Sequence, residues 1–261
     1  MENQALTLEQ VKALCPTAFT AEKSPNTTTD RYTHIPTSVV IEDLMKLGWE
    51  PNSAKQVKAR KNVGYQKHLI TFRNPNIMIK GDGGDDVQPT ILLTNSHDGK
   101  NAFNFRVGLI RFVCENGLVV SDEDYENVQI RHVGYSFEEL QTKINDVIAK
   151  LPNLVEKINT FKGTELTADQ VIEFANKASQ LRFSDVKSET YVDANGLLVV
   201  ERVEDEGNNL WTVFNRVQEK LINGRFNYGR KNRKARPIKN FNQDIKINKE
   251  LWELANDYVL A

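Results

Sequence analysis

Residues 94–120 read TNSHDGKNAFNFRVGLIRFVCENGLVV, and the fold hangs on that stretch. An apolar run, Ile91–Leu93, leads into it and breaks at a polar turn, Asn95-Ser96-His97-Asp98-Gly99. A second long segment follows, dense in Phe, Val, Leu and Ile yet carrying Arg106 and Arg111. Asn116-Gly117 closes it with residues suited to the positive φ of tight turns. Two apolar arms meeting at a polar, glycine-ended corner are how a rigid core presents a small chemical site. The arm at 102–113 has no decisive period, so its own pattern leaves strand and helix both open.

On either side the pattern is that of hairpins. Runs at Tyr65–Arg73, Ile77–Lys80, Val87–Thr94, part of Asn101–Cys114 and Val128–Val133 are separated by Gly, Pro and Asp/Asn clusters. Before them, Thr7-Leu-Glu-Gln10 is a capping box opening a short helix that stops ahead of Pro16. Residues 17–36 read as a loop. Val39–Leu47 follows as an amphipathic helix ending at Gly48.

From Ser136 the period becomes helical. Capping boxes at Ser136-Phe-Glu-Glu139 and Thr167-Ala-Asp-Gln170 open two helices, and Asn208 or Asn209 caps a third over Leu210–Ile222. A last helix is expected at about Lys249–Tyr258. Strands followed by helices predict an α+β fold: an antiparallel, hairpin-rich sheet packed against helices, with a mainly helical C-terminal half. The parts are an N-terminal helix and loop at 1–36, a β-rich core at 37–135 and helices at 136–261, expected to pack as one composite domain.

At 261 residues the chain can bury a sizeable core, and its 39% hydrophobic and 26% charged content is that of a soluble globular protein. It has no apolar run of membrane-spanning length and no secretory pattern at its start, so no membrane partner is expected. Cys15 and Cys114 stand far apart in no metal-ligand spacing, which predicts buried, reduced thiols and a cytoplasmic setting. With a net charge of −1, any nucleic-acid binding must come from a local patch.

Ser96-His97-Asp98 has the letters of a hydrolase triad, but consecutive side chains diverge where a triad must converge. An Asx-type turn that braces a neighbour is the expected role. Asp82-Gly-Gly-Asp85-Asp86 lacks the alternating ligands and closing Glu of a calcium loop, so a solvated turn is expected. Zinc-protease, Walker A, nucleophile-elbow and paired-CxxC motifs are all missing. Neither a cofactor nor a metal is therefore expected.

The strongest local anomaly is residues 223–239, NGRFNYGRKNRKARPIK, which hold Arg225, Arg230, Lys231, Arg233, Lys234, Arg236 and Lys239 and no acid. Phe226 and Tyr228 are interleaved, with Gly224 and Gly229 expected to give flexibility. Cations for phosphates beside aromatics for bases suit single-stranded nucleic acid, and a solvated loop between two helices is the alternative. His68, Arg73, Arg106, Arg111, Arg131 and His132 would extend a basic surface across the sheet if they share a face.

Several phrases taken together resemble a known family. They are Arg31-Tyr32, Ile35-Pro36-Thr37, Gly48-Trp49, Gln66-Lys67-His68, Asn95-Ser96-His97-Asp98-Gly99, Arg111-Phe-Val-Cys114-Glu-Asn116-Gly-Leu118 and Arg131-His132. The runs Leu210-Trp211-Thr-Val-Phe214-Asn215-Arg-Val-Gln218-Glu219 and Ile247-Asn248-Lys-Glu-Leu251-Trp252 add to them. From about residue 30 onward the chain looks like domain-of-unknown-function family 932, the phage/plasmid-like group. Glu115 departs from it, standing where a small or apolar residue is expected.

The resemblance implies a mobile element in a bacterial cytoplasm and no established activity. The motif residues His68, Asn95, Ser96, His97, Asp98, Gly99, Arg111, Asn116, Arg131 and His132 have no assigned role. The first functional expectation is a non-catalytic protein binding single-stranded DNA in recombination, annealing or replication. Its contacts would be Arg225, Phe226, Tyr228, Arg230, Lys231, Arg233, Lys234 and Arg236, and self-association is compatible with it. The second is an interaction protein inhibiting a host defence or regulatory factor. The third is a metal-dependent nuclease using His68, His97, Asp98 and His132.

Overall fold

The computed structural model describes residues 5–28, 34–61, 63–80, 86–99, 103–111, 116–119, 128–130, 135–183, 192, 194–229 and 231–260. The helices are α1 (Leu8–Leu14), α2 (Thr37–Lys46), α3 (Phe137–Gly163), α4 (Ala168–Phe183), α5 (Ala194–Leu198), α6 (Leu210–Asn223) and α7 (Phe241–Leu260). The strands are β1 (Glu50–Gln56), β2 (His68–Arg73), β3 (Val87–Asn95), β4 (Phe103–Arg111), β5 (Asn116–Val119), β6 (Val128–Ile130), β7 (Asn227–Tyr228) and β8 (Arg233–Lys234). The fold is α+β with a helical C-terminal half. Its contacts separate two units: Met1–Ile79, Val87–Ile110 and Glu123–Leu151 in the first, Lys80–Asp86, Arg111–Asp122 and Pro152–Ala261 in the second.

In the first unit the strands lie in the order β1-β2-β3-β4, with β6 also on β4. The β1/β2, β2/β3 and β4/β6 pairs are antiparallel. Register places Ile70 opposite Leu93 and Phe72 opposite Ile91. Side chains alternate along a strand, so these four share one face. They enter a single core with Phe103 and Phe105 of β4, Val11 of α1, Val40, Ile41 and Leu44 of α2, and Leu140 and Ile144 of α3. The arm left open between strand and helix is a strand over its described residues. Phe103 and Phe105 are buried there while Asn104 and Arg106 are half-buried.

Local signals at helix starts are realised as hydrogen bonds. At α1, Gln10 N donates to Thr7 Oγ1 at 3.2 Å and Thr7 N to Gln10 Oε1 at 2.8 Å. At α3, Glu139 N donates to Ser136 Oγ at 3.1 Å. Two strands of the main sheet are missing from the sequence reading: β5, which begins at Asn116-Gly117 where a closing turn is expected, and β1, EPNSAKQ, whose polar composition hides it. As the end strand of the order it tolerates Pro51, and a register shift between Pro51 and Ser53 absorbs the irregularity.

The second unit is built around α6, buried from Leu210 to Leu221, polar residues included. Phe214 of α6, Phe161 of α3 and Trp252 of α7 form an aromatic cluster with ring centroids 5.0–6.4 Å apart. Asn209 caps α6 through its bond from Thr212 N at 2.9 Å. Helix α7 begins well before Lys249, where Asn240 accepts from Asn242 N at 2.9 Å. No helix among the described residues is long and apolar enough to cross a membrane.

Candidate functional site

The parity that turns Ile70 and Leu93 inward turns His68 and Asn95 inward too, and these two are register partners. The apolar face of the sheet therefore ends in a buried polar pair. Thr37, the first residue of α2, meets it there. Its Oγ1 lies 2.9 Å from His68 Nε2, 2.9 Å from Asn95 Nδ2 and 3.4 Å from His97 Nε2.

The protons can be assigned from the fixed partners. His68 Nδ1 is 3.1 Å from Gln66 O, a carbonyl that only accepts, so Nδ1 carries the proton and Nε2 is bare. Thr37 then donates to His68 Nε2 and accepts from Asn95 Nδ2 and His97 Nε2. Burial keeps His68 neutral, pushing its pKa down to about 4, against a smaller opposing effect of Gln66 O.

His97 is also packed against His34, ring centroids 4.6 Å apart, and His34 Nε2 donates to Thr20 O at 2.8 Å. Its backbone is pinned on both sides: His97 N donates to Tyr65 O, and Ser24 N donates to His97 O, each at 3.1 Å. Ser96 Oγ donates directly to Asp98 Oδ1 at 2.6 Å while His97 Nε2 faces Thr37, so the imidazole does not stand between hydroxyl and carboxylate as a triad requires. Gly99 has φ +74°, and a Cβ there would stand 3.2 Å from Thr28 Cγ2.

Among the described residues no group of three or more His, Cys, Asp or Glu side chains is arranged to hold a metal. His68 and His97 both aim at a hydroxyl. The sequence reading set His68, Asn95 and His97 among its motif residues but named Thr37 only within the phrase Ile35-Pro36-Thr37, not as the residue that joins them. Nothing in the spacing signals it, because Thr37 is 31 residues from His68 and 60 from His97.

The basic surface expected across the sheet does not form from the described residues. His68 is buried and uncharged. Arg73 is half-buried with Glu50 3.9 Å away, and Arg106 donates to Thr94 Oγ1 at 3.4 Å. Arg111, 1% exposed, bonds Asp205 Oδ1 at 2.5 Å and Glu204 O at 3.0 Å. Burying that guanidinium requires the carboxylate. Asn116 opens β5, while Arg131 and His132 lie outside the described residues.

The basic stretch after α6 is a hairpin rather than an open loop. Asn227 pairs with Lys234 and Tyr228 with Arg233. The turn uses positive φ at Gly229 (+71°) and Asn232 (+47°), with Asn232 N donating to Gly229 O at 2.9 Å. Gly224, expected to give flexibility, does the reverse. It ends α6 at φ +70°, and a Cβ there would fall 2.4 Å from Arg236 C. Glycine lets the chain after the hairpin pack against the end of α6.

Phe226, expected to stack on bases, is instead 4% exposed and sets its ring edge-on to Phe183 at 6.1 Å. Tyr228 is half-buried and stacks on Phe183, centroids 4.9 Å apart. Arg225 is neutralised by Glu201 and Glu219, each 3.1 Å away. Glu219 also takes both nitrogens of Arg202, at 2.5 and 2.8 Å. Lys231, Arg233, Lys234 and Arg236 are exposed, and Arg230 lies outside the described residues.

Arg233, Lys234 and Arg236 line a recess of about 580 Å3 together with Arg182, Phe183 and Tyr228. No carboxylate is among these lining residues. Arg182, absent from the sequence reading, is the fixed member. It donates to Leu221 O and Arg236 O, and its guanidinium carbon lies 5.3 Å from the Phe226 ring centroid. Burial lowers its proton affinity, partly offset by Tyr228. A half-desolvated cation held by carbonyls, beside three exposed cations, makes an anion-attracting recess with an aromatic wall.

Two curated proteins of Escherichia coli (strain K12), "UPF0380 protein YfjQ" and "UPF0380 protein YafZ", are each 29% identical to this chain over 262 residues. In both cases the match covers 97% of this chain and 91% of the relative. No solved structure matches. The family model described as "Domain of unknown function (DUF932)" matches residues 26–252, which include the polar cluster around Thr37 and the whole basic hairpin, and the chain belongs to that family.

Proposed function

We propose that the protein binds single-stranded nucleic acid at the recess between the end of α4 and the β7–β8 hairpin, without catalysing a reaction on it. The carrying observation is the recess itself, lined by Arg182, Arg233, Lys234 and Arg236, walled by the Phe183–Tyr228 stack and free of lining carboxylates. Cations neutralise phosphates, and an aromatic ring offers a surface to an unpaired base of any sequence. A duplex keeps its bases stacked inside and cannot use that ring. The volume is within the range of roughly 300–1,000 Å3 typical of small-ligand pockets, enough for a nucleotide rather than a duplex.

The setting that fits is recombination, annealing or replication of phage or plasmid DNA, where exposed single strands occur. Of the residues expected for a nuclease, His68 and His97 face Thr37, Asp98 accepts from Ser96, and His132 lies outside the described residues, which leaves the recess as the better-supported site.

Fluorescence anisotropy with labelled single- and double-stranded DNA, at two salt concentrations and with and without magnesium, tests the reading. Salt-sensitive preference for single strands, with the probe left intact, is expected. Equal or absent binding of single strands at low salt refutes it.

A further inference from the structure

The charge in the recess exceeds what a strand passing through it supplies. Four cationic residues line a space of about 580 Å3, and none of their lining neighbours is an acid. Each internal phosphodiester brings one negative charge. A phosphomonoester brings about −1.5 to −2 at neutral pH and three strong acceptor oxygens. Arg182 is already anchored through bonds to Leu221 O and Arg236 O, so it presents its charge without being free to follow a moving strand. Arg233 is the cross-strand partner of Tyr228, so its side chain leaves the hairpin on the same face as the ring. Phosphate-binding and base-stacking groups thus stand within one nucleotide of each other.

We infer that the recess receives the phosphorylated end of a single strand, with the terminal phosphomonoester on Arg182, Arg233, Lys234 and Arg236 and the end base against Tyr228. This rests on the nucleic-acid reading above and adds which part of the strand the site takes.

The test is competition binding of one 20-nucleotide sequence in four forms: 5′-phosphorylated, 3′-phosphorylated, hydroxyl-ended and circular. One phosphorylated form should bind at least tenfold tighter than the hydroxyl-ended and circular forms, and which one it is names the end. The preference should vanish in an Arg233→Ala/Arg236→Ala variant whose melting temperature matches that of the unsubstituted protein. It should also weaken as pH falls below about 6, where the monoester dianion takes up a proton and drops to a single charge. If all four forms bind alike, the terminal-phosphate inference falls and strand binding stands. If none binds, both fall.

Discussion

Tyr228 stacks on Phe183 with ring centroids 4.9 Å apart and planes 26° from parallel. Phe226, buried, meets the same Phe183 edge-on. The hairpin's aromatics therefore divide their work: one is buried support, and the other is a half-exposed wall of the recess. Tyr228→Ala should weaken single-strand binding on the order of tenfold, within the roughly 1–3 kcal/mol that a base–aromatic stack contributes. Tyr228→Phe keeps the ring and should bind nearly as the unsubstituted protein does. Equal losses in both variants would point to the hydroxyl and away from stacking.

Gly224 and Gly229 both have positive φ, but their surroundings differ. A Cβ at Gly224 would lie 2.4–2.8 Å from backbone atoms of Ala235 and Arg236, whereas at Gly229 nothing lies within 4 Å. Gly229→Ala should cost about 1 kcal/mol, the conformational penalty alone. Gly224→Ala adds a backbone clash and should cost more than about 2 kcal/mol, displacing the arm that carries Arg236. Urea denaturation of the two variants measures the difference, and equal midpoints would contradict it.

Thr37 holds one end of the sheet through its hydroxyl. Thr37→Val keeps the shape and strands His68 Nε2 and Asn95 Nδ2, both buried. Roughly 2–4 kcal/mol of stability should be lost, the cost of leaving buried polar groups unmet. Thr37→Ser, which retains the hydroxyl, should lose less than half of that. Chemical denaturation at pH 7 compares them.

The His68 pKa, about 4 when folded against 6.5 for an ordinary histidine, makes stability depend on pH. Above pH 6.5 the imidazole is neutral whether folded or unfolded, and it contributes no slope. Between 6.5 and 4 the unfolded chain takes up a proton that the folded one refuses, so stability falls with falling pH. The loss reaches about 3 kcal/mol near pH 4. Denaturation midpoints at pH 7 and pH 5 should differ in that sense, and His68→Gln should flatten the dependence. An NMR titration placing His68 near 6.5 would remove the basis for this.

Capping boxes were legible because they are local: Thr7 with Gln10 and Ser136 with Glu139 need only three residues of sequence. The runs that became β2 and β3 were legible because Gly, Pro and Asp/Asn clusters bound them. What stayed hidden is set by distant partners. β1 is polar and owes its strand to pairing with β2, not to propensity. Phe226 and Tyr228 look alike in sequence, and the position of Phe183 on α4 decides which is covered. Thr37 and Arg182 matter through contacts 31 or more residues away, which no spacing rule encodes. Arg225 reads as a free cation until Glu201 and Glu219 are folded beside it.

The most direct test of the recess is the salt dependence of single-strand affinity in the unsubstituted protein and in an Arg233→Ala/Lys234→Ala/Arg236→Ala variant. Each phosphate contact contributes roughly 0.7 to the slope of log K against log salt on single strands. Losing three should lower that slope by about 2, with weaker binding at low salt and an unchanged melting temperature. A variant that binds with the same affinity and the same slope would place the nucleic-acid surface elsewhere and contradict the account.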